Sequence, residues 1–357
     1  MMRCALGELN GLVSRWPGAD NVARYGSVEL LARQAMAQDL KFVGLGEALI
    51  DLFEDGSASL GGAPLNVAVH AHHLLAPLKL GRGIVVSAVG ADKWGAHART
   101  VLAENGMTAE YVATDEHPTG TASVFVQNGE PGFEIRQDVA WDYVRTSKAT
   151  DALADSCDAI CFGSLGQRSE TTRETIRAFV RRAKRAWRLC DVNLRRSTLS
   201  GRRDYSREII EASCRLSSAM KANEQELLEL GEMFAVSVPA DGEDAMYARM
   251  EFFLKEFGLE AVVVTRAERG AMALTPDEMI AMPPAQATTS EIHAVGAGDA
   301  FSAGILFGRS QGWPWRTTLE LAAKMGTWVT RHVSAIPQLS PEILEYAADQ
   351  MRQYART

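Results

Sequence analysis

The stretch HAVGAGDAFSAGILFG, residues 293 to 308, sets two glycines and an aspartate where an apolar helix begins. Glycine inside a helix costs roughly 1 kcal/mol relative to alanine, so its use here needs a reason. The first turn of a helix leaves backbone N–H groups unpaired at the positive end of the helix dipole. Gly296 and Gly298 would let a bulky anion approach those groups closely. A carboxylate beside an anion hole repels phosphate, so Asp299 is a poor phosphate ligand. Two readings are left: a base that takes the proton of a hydroxyl attacking that phosphate, or a cap on the helix N-terminus. The turn by itself leaves both open.

Other clusters put polar groups at the ends of apolar runs. GEALIDLF carries Asp51, a carboxylate that could hold two sugar hydroxyls. LGGAPLNVAVHAHHL carries Gly61, Gly62 and Asn66, and an amide both donates and accepts, which suits polyols. DVNLRRS sets Asp191, Asn193 and Arg195 after one strand. KANEQE sets Asn223 and Glu224 after the next, oxygen ligands suited to hydrated magnesium. VVVTRAERGA ends a strand at Thr265 and turns at Gly270. No GxxxxGK[ST] occurs, which excludes a P-loop protein. GLGEAL starts like a dinucleotide fingerprint but has Leu49 in the third glycine position and continues as strand, which argues against a dehydrogenase.

The elements that must position these groups follow from periodicity. A strand starts at Lys41 with KFVGLGEALI. Short apolar strands IVVSAVG, DAICFGS, WRLCDVN, SSAMKAN and AVVVT alternate with amphipathic segments such as SETTRETIRAFVRRAKRAW. Such alternation predicts a doubly wound α/β sheet, buried on both faces. In such sheets ligands bind beyond the carboxyl ends of the strands, where these polar groups fall. Two stretches break the pattern. Residues 51 to 60 lead into no helix, and TGTASVFVQNGEPGFEIRQ (119–137) reads as a hairpin with NGEPG as its turn. Together they predict a small sheet projecting as a lid.

Composition limits the function further. The chain of 357 residues is 46% hydrophobic and 23% charged, with no span of ~18 apolar residues. Its net charge of −8 argues against nucleic-acid binding. Five cysteines, an odd number with no paired spacing, suggest a reducing compartment, and the protein is expected in the cytoplasm. Cys157 and Cys161, four apart, suit one helix face but fit no zinc knuckle and read as buried thiols. Residues 1–38 read as an extension outside the core, with Met36 an alternative start. Residues 39–340 form the expected main domain, with lid segments at about 51–62 and 118–138, and 341–357 a C-terminal helix.

From Lys41 to Pro337 the sequence resembles the ribokinase-like, or PfkB, carbohydrate kinases. GAGDAFSAG is the most specific element, supported in order by GGAPLNVA, DVNLRR, KANEQE and TRAERGA. GEALIDLF with GGAPLNVAVHA most resembles the fructokinase branch. The resemblance implies a three-layer α/β/α sandwich with a mostly parallel central sheet and a β-sheet lid. It implies ATP-dependent phosphorylation of a sugar primary hydroxyl, fructose first, with magnesium. Asp299 would be the general base, and the N–H groups of Gly296, Ala297 and Gly298 the anion hole. Asp51, Gly61, Gly62 and Asn66 would grip the sugar, with Arg136 and Arg195 adding contacts. Asn193, Lys221, Thr265, Ala267 and Gly270 would line the nucleotide, and Asn223 and Glu224 would position magnesium. A kinase for another sugar or a sugar acid such as 2-keto-3-deoxygluconate, and a non-catalytic sugar or nucleotide sensor, are the alternatives. Exposed strand edges on the lid could pair two copies into a homodimer.

The departures have consequences. The family usually has an aspartate and a threonine before GAGD, the aspartate helping to hold a monovalent cation; His293 and Ala294 stand there instead. Imidazole is a poor partner for a hard cation, so potassium activation is expected to be weak or absent. Ala267 replaces a usual glycine, and Ser334 stands where glycine is common. His70, His72 and His73 crowd one helix but lack a nearby carboxylate pattern, and read as packed or solvated rather than metal ligands. The basic run at 177–188 reads as a solvated helix face, and Pro314 in GWPWR as a helix start.

Overall fold

The computed structural model describes residues 39–127, 130–238, 242–283 and 295–355. The leader 1–38 and the pair His293 and Ala294 lie outside them. The run from Lys41, read as one strand, divides in two. β1 (Leu40–Leu45) lies in a large sheet, and after Gly46 the chain enters a separate small sheet as β2 (Leu49–Phe53) and β3 (Ala58–Gly61). The other strands of the large sheet are β4 (Gly81–Gly90), β5 (Val112–Asp115), β8 (Ala159–Gly163), β9 (Trp187–Asp191), β10 (Ala219–Asn223), β11 (Ala261–Thr265), β12 (Ala271–Leu274) and β13 (Met279–Met282). Their order is β13-β12-β11-β10-β9-β8-β1-β4-β5. All pairings from β11 to β5 are parallel, and β12 and β13 add an antiparallel edge. Runs such as Ala261–Thr265 take this place because β-branched side chains fit a pleat covered on both faces.

Helices cover both faces, giving the three layers expected. α1 (Ala63–Leu75) and α2 (Lys93–Glu104) pack on one side, where Leu65, Val69, Ala98 and Leu102 meet Val85 and Val89. On the other side lie α3 (Lys148–Ser156), α4 (Glu170–Arg182), α5 (Arg207–Leu216), α6 (Glu224–Met233) and α7 (Glu243–Phe257). Their buried faces join Val43, Leu45, Phe162, Met220 and Val262 in one core. α8 (Ala297–Ser310) packs against α1 and α9 (Trp315–Val329), and α10 (Pro341–Tyr354) closes the described chain. α1 rests directly on β1: a Cβ on Gly44 would fall 1.8 Å from the Pro64 carbonyl oxygen. That contact sets the height of everything α1 carries.

The small sheet has the order β3-β2-β6-β7, with β6 (Gly120–Gln127) and β7 (Glu130–Ile135) as its hairpin. Strand pairing runs further into NGEPG than the sequence suggested. Gln127 pairs with Glu130 and Val126 with Pro131, so Glu130, Pro131 and Gly132 belong to β7, and only residues 128 and 129 join the strands. The outer edge is not free for a second copy at Phe133. Thr198 N donates to the Phe133 carbonyl (3.1 Å), and Phe133 N donates to Thr198 Oγ1 (2.9 Å). The loop after β9 thus covers β7 at Phe133.

Other expectations sort by environment. Cys157 caps α3 and Cys161 lies in β8, so they do not share a helix face, though both are buried. The basic run leaves α4 at Arg182 and enters β9, and Arg177, Arg182 and Arg185 pair with Glu208, Asp155 and Asp158. Pro314 is the N-cap residue of α9. No described helix is long and apolar enough to cross a membrane.

Candidate active site

The chain goes from β1 to β4 on one side and later returns to β8 on the other, so the strand order reverses at β1. Open α/β sheets bind ligands at such a reversal, beyond the carboxyl ends of the strands. α1 and α8 meet there. Asn66, in the first turn of α1, is buried, and its Nδ2 donates to Asp299 Oδ2 at 2.8 Å. Asp299, in the first turn of α8, keeps some exposure while protein surrounds its carboxylate. Burial first, then the Asp191 charge, pushes its pKa up to about 7, against the Asn66 hydrogen bond, Lys221 and Arg195.

Beneath that turn lies a buried ion pair. Lys221 Nζ donates to Asp191 Oδ2 at 2.7 Å, with the side chains 7% and 4% exposed. Ser302 Oγ stands 2.7 Å from the same oxygen and 3.0 Å from the Gly298 carbonyl. Burial works against the charge on Lys221, yet Asp191 and then Asp299 hold its pKa above the ordinary value. A Cβ on Gly298 would lie 3.4 Å from Lys221 Nζ, which places the ammonium beside the turn. Gly296, at φ +82, is the N-cap residue, and among the described residues no side chain caps the helix. The first-turn N–H groups are therefore open to an outside acceptor, as an anion hole requires. Among the described residues, the partner of the Asp299 carboxylate is Asn66 and not a backbone N–H of that turn.

Asp51, on β2, stands against Gly61: a Cβ there would fall 2.5 Å from Asp51 Oδ2. Burial pushes the Asp51 pKa up to about 6, with Arg195 opposing. The Arg195 charge also acts on Glu47, Glu226 and Asp299, so four carboxylates share the field of one guanidinium. Gly62, at φ +115, begins α1 where a Cβ would meet the Glu47 carbonyl at 2.4 Å.

The phosphate-lining candidates sit on two turns. Thr265 ends β11, and the following turn closes through Arg266 N to the Gly270 carbonyl (2.8 Å) and Gly270 N to the Ala267 carbonyl (3.1 Å). Ala267 takes φ +47 and Gly270 φ +85. Alanine here takes a left-handed backbone that glycine would adopt freely, at some strain. Asn193, at φ +40, is likewise left-handed.

Three of the expected site residues have protein partners here. Both oxygens of Glu224 face guanidinium groups, Arg266 Nε at 3.3 Å and Arg269 Nη2 closer still. Asn223 Oδ1 accepts from Glu226 N at 2.8 Å, capping α6. Arg136 is exposed at the end of the lid hairpin, and it is its carbonyl that is engaged, accepting from Arg168 Nη2 at 2.7 Å.

Sequence reasoning missed two carboxylates. Glu226 accepts from Leu194 N (2.9 Å) and Asn223 N (2.8 Å) while burial, then Asp191, pushes its pKa up. The spacing Asn223-x-x-Glu226 is a capping box and could have marked it. Glu47 is 2% exposed with Oε2 unpartnered among the described residues, and burial raises its pKa. Nothing in GEALIDLF separates it from a solvated glutamate.

The sequence model of the family described as pfkB family carbohydrate kinase matches residues 21–342. The chain belongs to this family. The carbohydrate kinase is 26% identical over 279 residues to aminoimidazole riboside kinase of Salmonella typhimurium, covering 76% of this chain and 81% of that one. It is 27% identical over 273 residues to a fructokinase of Klebsiella pneumoniae, covering 74% and 82%. Its fold superposes on the fructokinase of Xylella fastidiosa solved with bound ATP at a TM-score of 0.70 and 22% identity, covering 87% of this chain and 98% of that one. The ribokinase-like sandwich with its small second sheet is therefore the fold of this sugar kinase.

Proposed function

We propose that this kinase transfers the γ-phosphoryl group of ATP to a primary hydroxyl of a sugar, with fructose the first candidate. One observation carries the reading: Asp299, with a pKa near 7, stands at the uncapped start of α8, gripped by Asn66 from the opposite helix. In the proposed step the sugar oxygen bonds to phosphorus, the bond from phosphorus to the bridging oxygen of ADP breaks, and the hydroxyl proton passes to Asp299. The N–H groups of Ala297 and Gly298, with Lys221 beside them, stabilise the charge of the migrating group. Asp51 and Asn66 hold the sugar, and the small sheet shields the cleft from water, limiting ATP hydrolysis.

Magnesium, when bound, neutralises phosphate charge. The described residues offer no group of three or more metal-ligating side chains, which fits an ion that arrives on the nucleotide and keeps most of its water. Glu226 would orient that water in place of Glu224, with Asn223 close by.

Support for the substrates comes from the relatives: two fructokinases, one of them solved with ATP, and a riboside kinase. A second reading, a sugar acid as acceptor, is favoured by Arg195. It is half-buried, and the hydrogen bond it makes from Nη1 goes to the Leu194 carbonyl rather than a carboxylate, which leaves it able to meet a substrate carboxylate. ADP release measured with fructose, glucose, ribosides and 2-keto-3-deoxygluconate decides between them. Turnover with fructose supports the first reading, and turnover confined to the acid supports the second. ATP binding without stimulation by any sugar would leave a sensor.

A further inference from the structure

Helix α1 touches the α8 turn region at two points, one helical turn apart. Asn66 holds Asp299. His70, four residues on, lies on the same face of α1. Its ring is fully buried, and Nε2 lies 2.9 Å from the Ala335 carbonyl oxygen. A carbonyl only accepts, so Nε2 carries the hydrogen and Nδ1 is bare. Nδ1 has no partner among the described residues. Burial pushes the imidazole pKa down to about 3, so the ring is neutral at working pH.

The carbonyl that His70 holds abuts the first residue of the turn. A Cβ on Gly296 would fall 2.3 Å from the Ala335 oxygen and 2.8 Å from its Cα. His73, further along α1, adds Nδ1 at 3.2 Å from the Pro337 carbonyl and Nε2 at 2.9 Å from Asn105 Oδ1. Packing alone does not call for histidine at position 70. A leucine would fill similar space without burying a bare nitrogen.

We infer that His70 is a positioning residue for the phosphoryl-binding turn: it fixes Ala335 against Gly296 while Asn66 fixes Asp299, so that one helix sets the anion hole and the base relative to each other. The inference rests on the reading of that turn given above. An anion hole acts through placement, and small displacements of its donors weaken the transition state more than the ground state.

The test compares His70→Leu, His70→Gln and His70→Asn in the full chain, with Asp299→Asn alongside. Glutamine carries an N–H to about the reach of Nε2, whereas asparagine falls short and leucine has none. Measured are kcat, sugar KM, and affinity for ADP alone and with aluminium fluoride, which mimics the migrating group. His70→Gln should keep kcat within about threefold, and His70→Leu and His70→Asn should lose on the order of tenfold to a hundredfold. Sugar KM and ADP affinity should hold within about twofold while the tightening by aluminium fluoride disappears. If His70→Leu does not fold, the glutamine and asparagine variants decide. Equal kcat in those two, or parallel losses of ADP affinity and fluoride tightening, overturns the role. If Asp299→Asn is inactive while every His70 variant works, only the His70 inference fails. If Asp299→Asn stays active, the reading of the turn fails with it.

Discussion

The Asn66 amide donates to the Asp299 carboxylate over 2.8 Å, joining residues 233 positions apart. The first opens a helix packed on β1, and the second opens the late helix. Their meeting brings two separate glycine-rich starts together, with Asp191 acting on Asp299 and Arg195 acting on both Asp299 and Asp51.

Replacing Asp299 by asparagine should preserve the fold and ATP affinity but lower kcat by roughly 100- to 10,000-fold, the usual worth of a general base. Coupled detection of ADP release checks the rate, and nucleotide titration the affinity. Near-normal turnover would refute the base assignment.

The acid side of the pH profile should belong to the same carboxylate. Its working form is ionised, so kcat/KM should rise with pH up to about 7 and level off above. The stability effect runs the other way. The folded pKa, about 7, lies above the ordinary 3.8, so the folded state holds an extra proton between these values and loses stability as pH rises through them. The Asp299→Asn protein lacks this loss. Its melting temperature should gain on the parent between about pH 4 and pH 7 and stay ahead by a constant margin above. A constant difference from pH 4 to 8 would contradict the raised pKa.

Asn66→Leu removes the donor that favours the charged form of Asp299. The acid limb should move to higher pH by about half to one unit, with a raised sugar KM. An unmoved limb would mean the hydrogen bond does not tune the base.

Lys221→Met leaves Asp191 buried without its counter-charge. Urea unfolding should show a loss of about 3–5 kcal/mol, and the double variant Asp191→Leu/Lys221→Met should recover most of it. The single change should also raise the pKa of Asp299 and move the acid limb upward, since Lys221 opposes that shift. Full stability of the single variant would show that Asp191 finds another partner.

Ala267→Gly should raise stability by about 0.5–1 kcal/mol, because the left-handed backbone at φ +47 strains alanine. ATP KM should change little, as the loop path is already the one glycine would take. A loss of stability would place the strain elsewhere.

Much of this was written in local sequence. Alternation of apolar runs and amphipathic segments marked the parallel sheet, because burial on both faces leaves no other stable use for such strands. Gly296 and Gly298 at the start of an apolar helix pointed to the proposed anion hole, since bare N–H groups follow from helix geometry alone. Asp191 could be picked out because it ends a strand and Asn66 because it opens a helix, whereas Asp51 and Lys221 lie in mid-strand and were marked by the motifs around them. Pairings across the chain could not. That Glu224 turns to Arg266 and Arg269 while Glu226 accepts from the Leu194 and Asn223 amides depends on which side of α6 meets its neighbours. That β7 is covered at Phe133 depends on where the loop after β9 returns. The pKa of Asp299, the bare oxygen of Glu47 and the grip of His70 on Ala335 arise only when distant segments exclude water together. Sequence determined which groups exist and which element carries each; the tertiary fold decided their partners and their charge, because both depend on distance and on water excluded by the rest of the chain.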